Sequence, residues 1–139
     1  MLMNTLETLS AELDVLNAAF RETDEYFLVQ KVQVQGAAVS NTEKNQIKER
    51  IFNVYSSLFQ SVSFDRNINV MVTCVLSSMQ FTSATISQIL NMEDSSVRSL
   101  KHRLKKKMEP EVFSLFFEPK EESLKQDTAA PVKKRKPYL

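Results

Sequence analysis

From its start the chain places Leu2, Leu6, Leu9, Leu13, Leu16 and Phe20 at alternating spacings of four and three, with polar or charged residues at most positions between. This is the a/d seam of a heptad and predicts a helix with a narrow apolar stripe. The register runs on through Phe27 and Val34, but Thr23 and Gln30 also fall on it, and Val29, Val32 and Val34 bring β-branched side chains that weaken a helix. Residues 1–35 therefore read as a heptad segment whose seam is clean to Phe20. Two arrangements fit such a seam. In one, Leu2, Leu6, Leu9, Leu13, Leu16 and Phe20 pair two chains in a coiled coil; in the other, the helix folds back on its own domain. The strictness of the seam favours a homodimer.

Gly36 to Thr42 reads as a break, because the single Gly is followed by Ser40, Asn41 and Thr42, each able to cap a new helix. The next helix runs to Ser61, with Ile47, Ile51, Val54, Tyr55, Leu58 and Phe59 on its apolar face. Ser63, Phe64 and Asp65 interrupt the pattern, and Asp65 is placed to cap a third helix with a broad stripe of Ile68, Met71, Val72, Val75, Leu76 and Met79. Thr82 or Ser83 then caps a short helix carrying Ile86, Ile89 and Leu90. After Asn91, Met92 and Glu93 comes a helix carrying Val97, Leu100, Leu104 and Met108, which Pro110 ends. Asn91 suits the turn between them, since Asn tolerates the left-handed conformation better than most residues. Val112, Phe113, Leu115, Phe116 and Phe117 predict a short final helix. From Glu118 the chain is polar, aperiodic and holds three of the four Pro, which reads as a disordered tail.

The fold class that follows is all-α: an N-terminal amphipathic or coiled-coil helix over 1–35, a helical bundle over 41–117, and a tail over 118–139. Composition agrees. In 139 residues, 42% are hydrophobic, enough for one core, and one Gly with four Pro favours helices over strands and tight turns.

The net charge of +1 says little, but its distribution is uneven. Glu7, Glu12, Asp14, Glu22, Asp24 and Glu25 stand against Arg21 at the start, whereas Arg98, Lys101, Arg103, Lys105, Lys106 and Lys107 form a run without an acid. A basic second helix in a tight helical pair is the arrangement of a helix-turn-helix that reads DNA, here spanning 82–108. With Val97, Leu100, Leu104 and Met108 turned toward Ile86, Leu90 and the third helix, the opposite face carries Ser95, Arg98, Ser99, His102 and Lys105. Arg98, Ser99 and His102 are the base-contact candidates, because Arg forks onto guanine and His or Ser reaches a base edge. Ser83, Ser95, Ser96, Lys101, Lys105 and Lys106 are placed for phosphate. A solvated helix face is the plainer account of each Lys, and it is preferred for Lys107. Lys133, Lys134, Arg135 and Lys136 in the tail suit a phosphate grip, a nuclear import signal or simple solubility.

The stretch Ile86-Ser87-Gln88-Ile89-Leu90-Asn91-Met92, then Ser96-Val97, then Lys101-His102-Arg103-Leu104-Lys105-Lys106-Lys107-Met108 resembles the LuxR-type helix-turn-helix, in the form common in transcriptional regulators of Bacteroidetes. The likeness covers Asn67 to Met108. It departs at Ser87, where the family usually has Ala, and at Glu93, where it usually has the capping Ser, which leaves Asp94 to take over the cap. What the resemblance implies is a sequence-specific transcriptional regulator.

Other chemistry is hard to find. One His and one Cys without ligand spacing speak against a metal site. One Gly rules out a glycine-rich phosphate loop, and neither a Gly-x-Ser-x-Gly turn nor a His-Glu-x-x-His helix occurs. No enzyme, no cofactor and no small-molecule substrate is expected. The expected partners are double-stranded DNA and a second copy of the chain. Cys74 has no disulfide partner and reads as a buried thiol, the opening residues lack signal-peptide features, and no apolar run nears the ~20 residues that span a bilayer. A reducing compartment is therefore expected, the bacterial cytoplasm with its nucleoid, or the nucleus in a eukaryote. The alternative function is a helical protein-interaction module, a coiled-coil adaptor without specific DNA binding.

Overall fold

A computed structural model describes residues 2–61 and 67–118, excluding the side chains of residues 2–5 and 61. Among the described residues there are seven helices and no strand: α1 (Leu2–Arg21), α2 (Asp24–Gln35), α3 (Asn41–Ser61), α4 (Ile68–Ser78), α5 (Ser83–Leu90), α6 (Asp94–Lys107) and α7 (Pro110–Phe117). The protein is all-α. No helix among the described residues is long and apolar enough to cross a membrane.

Local chemistry accounts for most of the boundaries. The Ser40 hydroxyl accepts from the Glu43 backbone N–H, and the Glu43 carboxylate accepts from the Ser40 N–H, a reciprocal capping box that opens α3. The expected heptad segment is two helices, α1 over Leu2–Arg21 and α2 over Asp24–Gln35. The Thr23 hydroxyl caps α2 by accepting from the Tyr26 N–H, with Asp24 and Glu25 in the first turn where the helix dipole favours acids. Val29 and Val32, which weaken the helix locally, are held in it by burial. Gly36 ends α2 at φ 65, a left-handed conformation that glycine adopts freely. Asp65 lies outside the described residues, and the cap of α4 is the Asn67 side chain, which accepts from the Asn69 N–H. Pro110 opens α7 at its first turn, where a missing N–H costs nothing, rather than ending α6, which stops at Lys107.

The core centres on α4, whose residues from Val70 to Leu76 are all buried. Helices α3, α5, α6 and α7 pack around it, while α1 and α2 lie against α3, and α1 also touches α7. Burial pushes the Cys74 thiol pKa well above its ordinary value. Phe59 stacks on Phe116 at 5.4 Å between ring centroids and joins α3 to α7. Phe20 meets Tyr26 and Tyr55 edge-on, and Tyr26 meets Phe81 in the same way, an aromatic chain from α1 to the entrance of α5.

This packing settles where the N-terminal seam goes. Leu9, Leu13 and Phe20 are buried in the same core as α3 to α7, and Leu16 is packed against it. Leu6 is half-buried, and the Leu2 side chain lies outside the described residues. A coiled coil through these positions would have to withdraw Leu9, Leu13 and Phe20 from their own core, so of the two arrangements the seam allows, the folded-back one is found. A polar chain secures it. The Tyr55 hydroxyl donates to Asn17 Oδ1 at 2.6 Å, and Asn17 Nδ2 donates to the Ser78 hydroxyl at 3.2 Å, linking α1, α3 and α4. Burial holds the Tyr55 phenol well above its ordinary pKa, with the Arg21 charge opposing, so the hydroxyl stays protonated and keeps donating.

Leu13→Asp is therefore expected to remove roughly 3 kcal/mol or more, since an unpaired carboxylate replaces an apolar side chain in the core. Thermal unfolding followed by circular dichroism checks this. A mutant that melts like the parent would mean that α1 does not pack on its own chain.

Candidate nucleic-acid interface

Helices α5 and α6 are joined by Asn91, Met92 and Glu93 alone, and the turn is built by local chemistry. Thr82 caps α5 by accepting from the Thr85 N–H at 3.1 Å. Asn91 ends it at φ 57 and ψ 42, left-handed, with its N–H on the Ser87 carbonyl. Ser87 is buried and donates its hydroxyl back to the Ala84 carbonyl at 2.7 Å. Ile86, Ile89 and Leu90 from α5 and Val97, Leu100 and Leu104 from α6 are buried with Met108 in the main core.

Two other helices hold this pair from behind. Gln33 of α2 accepts through Oε1 from the Thr82 backbone N–H at 2.8 Å and from the Thr85 hydroxyl at 3.0 Å. Lys44 of α3 donates to Asn91 Oδ1 at 2.5 Å. Both ends of α5 are thus tied to the N-terminal half of the chain. The sequence offers no signal for these three bonds, because each joins residues about fifty positions apart.

Burying Val97, Leu100 and Leu104 turns Ser95, Arg98, Ser99 and His102 outward, and all four are exposed together with Ser96, Lys105 and Lys106. The three base-contact candidates therefore share one open face. Lys101 and Ser83, both expected at phosphate, bond to each other: the ammonium donates to the Ser83 hydroxyl at 2.9 Å and ties the middle of α6 to the start of α5. Partial burial draws the Lys101 pKa below its ordinary value, and the nearby Asp94 carboxylate works the other way. Arg103 and Lys107 are exposed on the opposite flank of α6 and line a cleft of about 380 Å³ with Asn67, Asn69 and Met92.

Asp94 does not take over the cap of α6. It is the first residue of the helix; Glu93 occupies the cap position without a side-chain bond to the backbone. Instead, Asp94 Oδ2 accepts from Arg98 Nη1, one turn along. The spacing of an acid four residues before a base carries that signal in the sequence, and reading Asp94 as a cap hides it. Among the described residues, no cluster of three His, Cys, Asp or Glu side chains is placed to hold a metal ion.

No family model matches this chain, and comparison with curated proteins and with solved structures gives no match.

Val97 of α6 is fully buried in the core, so Val97→Asp should cost several kcal/mol, a large part of the stability of a small domain. Loss of the cooperative melt by circular dichroism is the expected result. An unchanged melt would mean that the packing of α6 is not the one described.

Proposed function

We propose that this chain is a sequence-specific transcriptional regulator, with α5, its turn and α6 acting as a helix-turn-helix of LuxR-like type that sets α6 in the major groove of duplex DNA. The observation that carries the reading is the two-sided character of α6. One side is spent on the core, and the other presents Arg98, Ser99 and His102 with Lys105 and Lys106 beside them. In this reading Arg98, Ser99 and His102 meet base edges, and Ser83, Ser95, Ser96, Lys101, Lys105 and Lys106 meet phosphate. The cations also have a structural use, since Lys105, Lys106 and Lys107 complement the C-terminal end of the helix dipole.

The protein acts as a pair of chains in this proposal, in the cytoplasm and on the nucleoid of a bacterium. One small head contacts few base pairs, and a second linked head raises affinity by roughly 100-fold through effective concentration alone. The α1 seam is occupied internally and does not supply the pairing surface. One observation favours a second reading, a helical protein-interaction module: Phe27 and Val34 lie on one side of α2, 59% and 77% exposed, with the Lys31 ammonium over the Phe27 ring.

Binding to random-sequence duplex at several salt concentrations separates the readings. Log affinity should fall linearly with log salt, and replacing Lys105 and Lys106 with Gln should reduce the slope by about 1.8, or 0.9 for each lost phosphate contact. A slope near zero in the parent, or one unchanged in the double mutant, removes the DNA reading and leaves the interaction module. Sedimentation of the parent at micromolar concentration should show a dimer; a monomer removes the paired form and leaves the single head.

A further inference from the structure

We infer that Asp94 positions Arg98 for base recognition, making the Asp94–Arg98 pair a specificity element. This inference rests on the proposed DNA reading of α6. A carboxylate on a surface that faces phosphate repels the ligand, and although the first turn of α6 favours an acid through the helix dipole, what marks Asp94 out is its partner on the proposed reading face. Asp94 stands at the start of that face, 43% exposed as a side chain, and its Oδ2 holds the guanidinium of Arg98, whose side chain is 62% exposed. As an exposed pair within one helix it adds little to stability. Its effect is on geometry.

A guanidinium carries five N–H donors in a rigid plane. With Nη1 engaged by Asp94 Oδ2, the guanidinium is drawn toward the start of α6 and its other donors stay free on the face that carries Ser99 and His102. The rotamer freedom that an unsupported Arg would lose on docking is already restricted, and the remaining fork is aimed at a pair of acceptors such as the O6 and N7 of guanine. The second carboxylate oxygen, Oδ1, is buried without a hydrogen-bond partner among the described residues. The Lys101 ammonium, which bonds to Ser83, lies close enough for its charge to interact with that carboxylate. Asp94 thus bonds to the outward-facing cation Arg98 and lies within electrostatic reach of Lys101, the cation that braces α6 against α5. Asp94 touches no base in this scheme.

The test uses the whole chain, a duplex enriched from a random pool by the parent, the same duplex with each guanine replaced in turn, and a random-sequence duplex. Asp94→Asn, Arg98→Ala and the double variant are compared with the parent. Asp94→Asn is expected to lose about tenfold in discrimination at one guanine position while binding random duplex at least as tightly as the parent, with its melt little changed. Arg98→Ala should lose discrimination at the same position, and adding Asp94→Asn to it should lose nothing further. A merely structural role would weaken specific and random binding together and lower the melt. Discrimination retained in Asp94→Asn, or a loss of equal size when Arg98 is already Ala, overturns the inference while leaving DNA binding in place. A parent that binds no duplex in a salt-dependent way overturns the DNA reading and this inference with it.

Discussion

Every residue of α4 from Val70 to Leu76 is buried, and a helix apolar on all sides exists in water only inside a sheath of other helices. That demand organises the rest of the protein. Helices α3, α5, α6 and α7 each give one apolar face to α4, and α3 and α7 also take α1 against another side. The sheath is tight enough to bury two hydroxyls, Thr73 Oγ1 and Ser77 Oγ, without a hydrogen-bond partner among the described residues. Such groups are tolerated only where the surrounding apolar contacts outweigh the loss.

The candidate interface inherits its rigidity from this arrangement. Helices α5 and α6 are short, and short helices have little stability of their own in water. Their relative angle is held by Ile86, Ile89, Val97 and Leu100 in the core and by polar ties from outside the pair. Gln33 fixes the start of α5, Lys44 fixes the left-handed Asn91 at its end, and Lys101 spans from α6 to Ser83. A movement of α2 or α3 would therefore be felt at the start of α6, where the exposed polar face begins.

Helix α1 closes the side of the bundle formed by α3 and α7. Its attachment combines the apolar contacts of Leu9, Leu13 and Phe20 with the polar chain through Asn17, Tyr55 and Ser78, in which each buried polar atom has a partner. The acidic residues Glu7 and Asp14 remain on the exposed side of α1, and the cations of α6 stand on another helix. The uneven charge of the sequence thus becomes a division between surfaces of a single folded body.

Much of this was legible in the residues alone, for a local physical reason. Helix capping and the periodicity of apolar positions act over a few residues, so the existence of α3, α4, α5, α6 and α7, a cap at Thr82 or Ser83, the left-handed Asn91 and the open face bearing Arg98, Ser99 and His102 could all be read from spacing. The heptad seam was equally visible, but its partner was not. Leu9, Leu13 and Phe20 present the same stripe to a second chain as to α3, and only the tertiary structure, with α4 requiring cover and Tyr55 reaching Asn17, decides between them. The same limit hid Gln33, Lys44 and the break at Thr23. A hydrogen bond between residues far apart in the chain leaves no periodic trace, and a Thr on the seam of a heptad reads as a minor lapse until the fold makes it the start of a new helix.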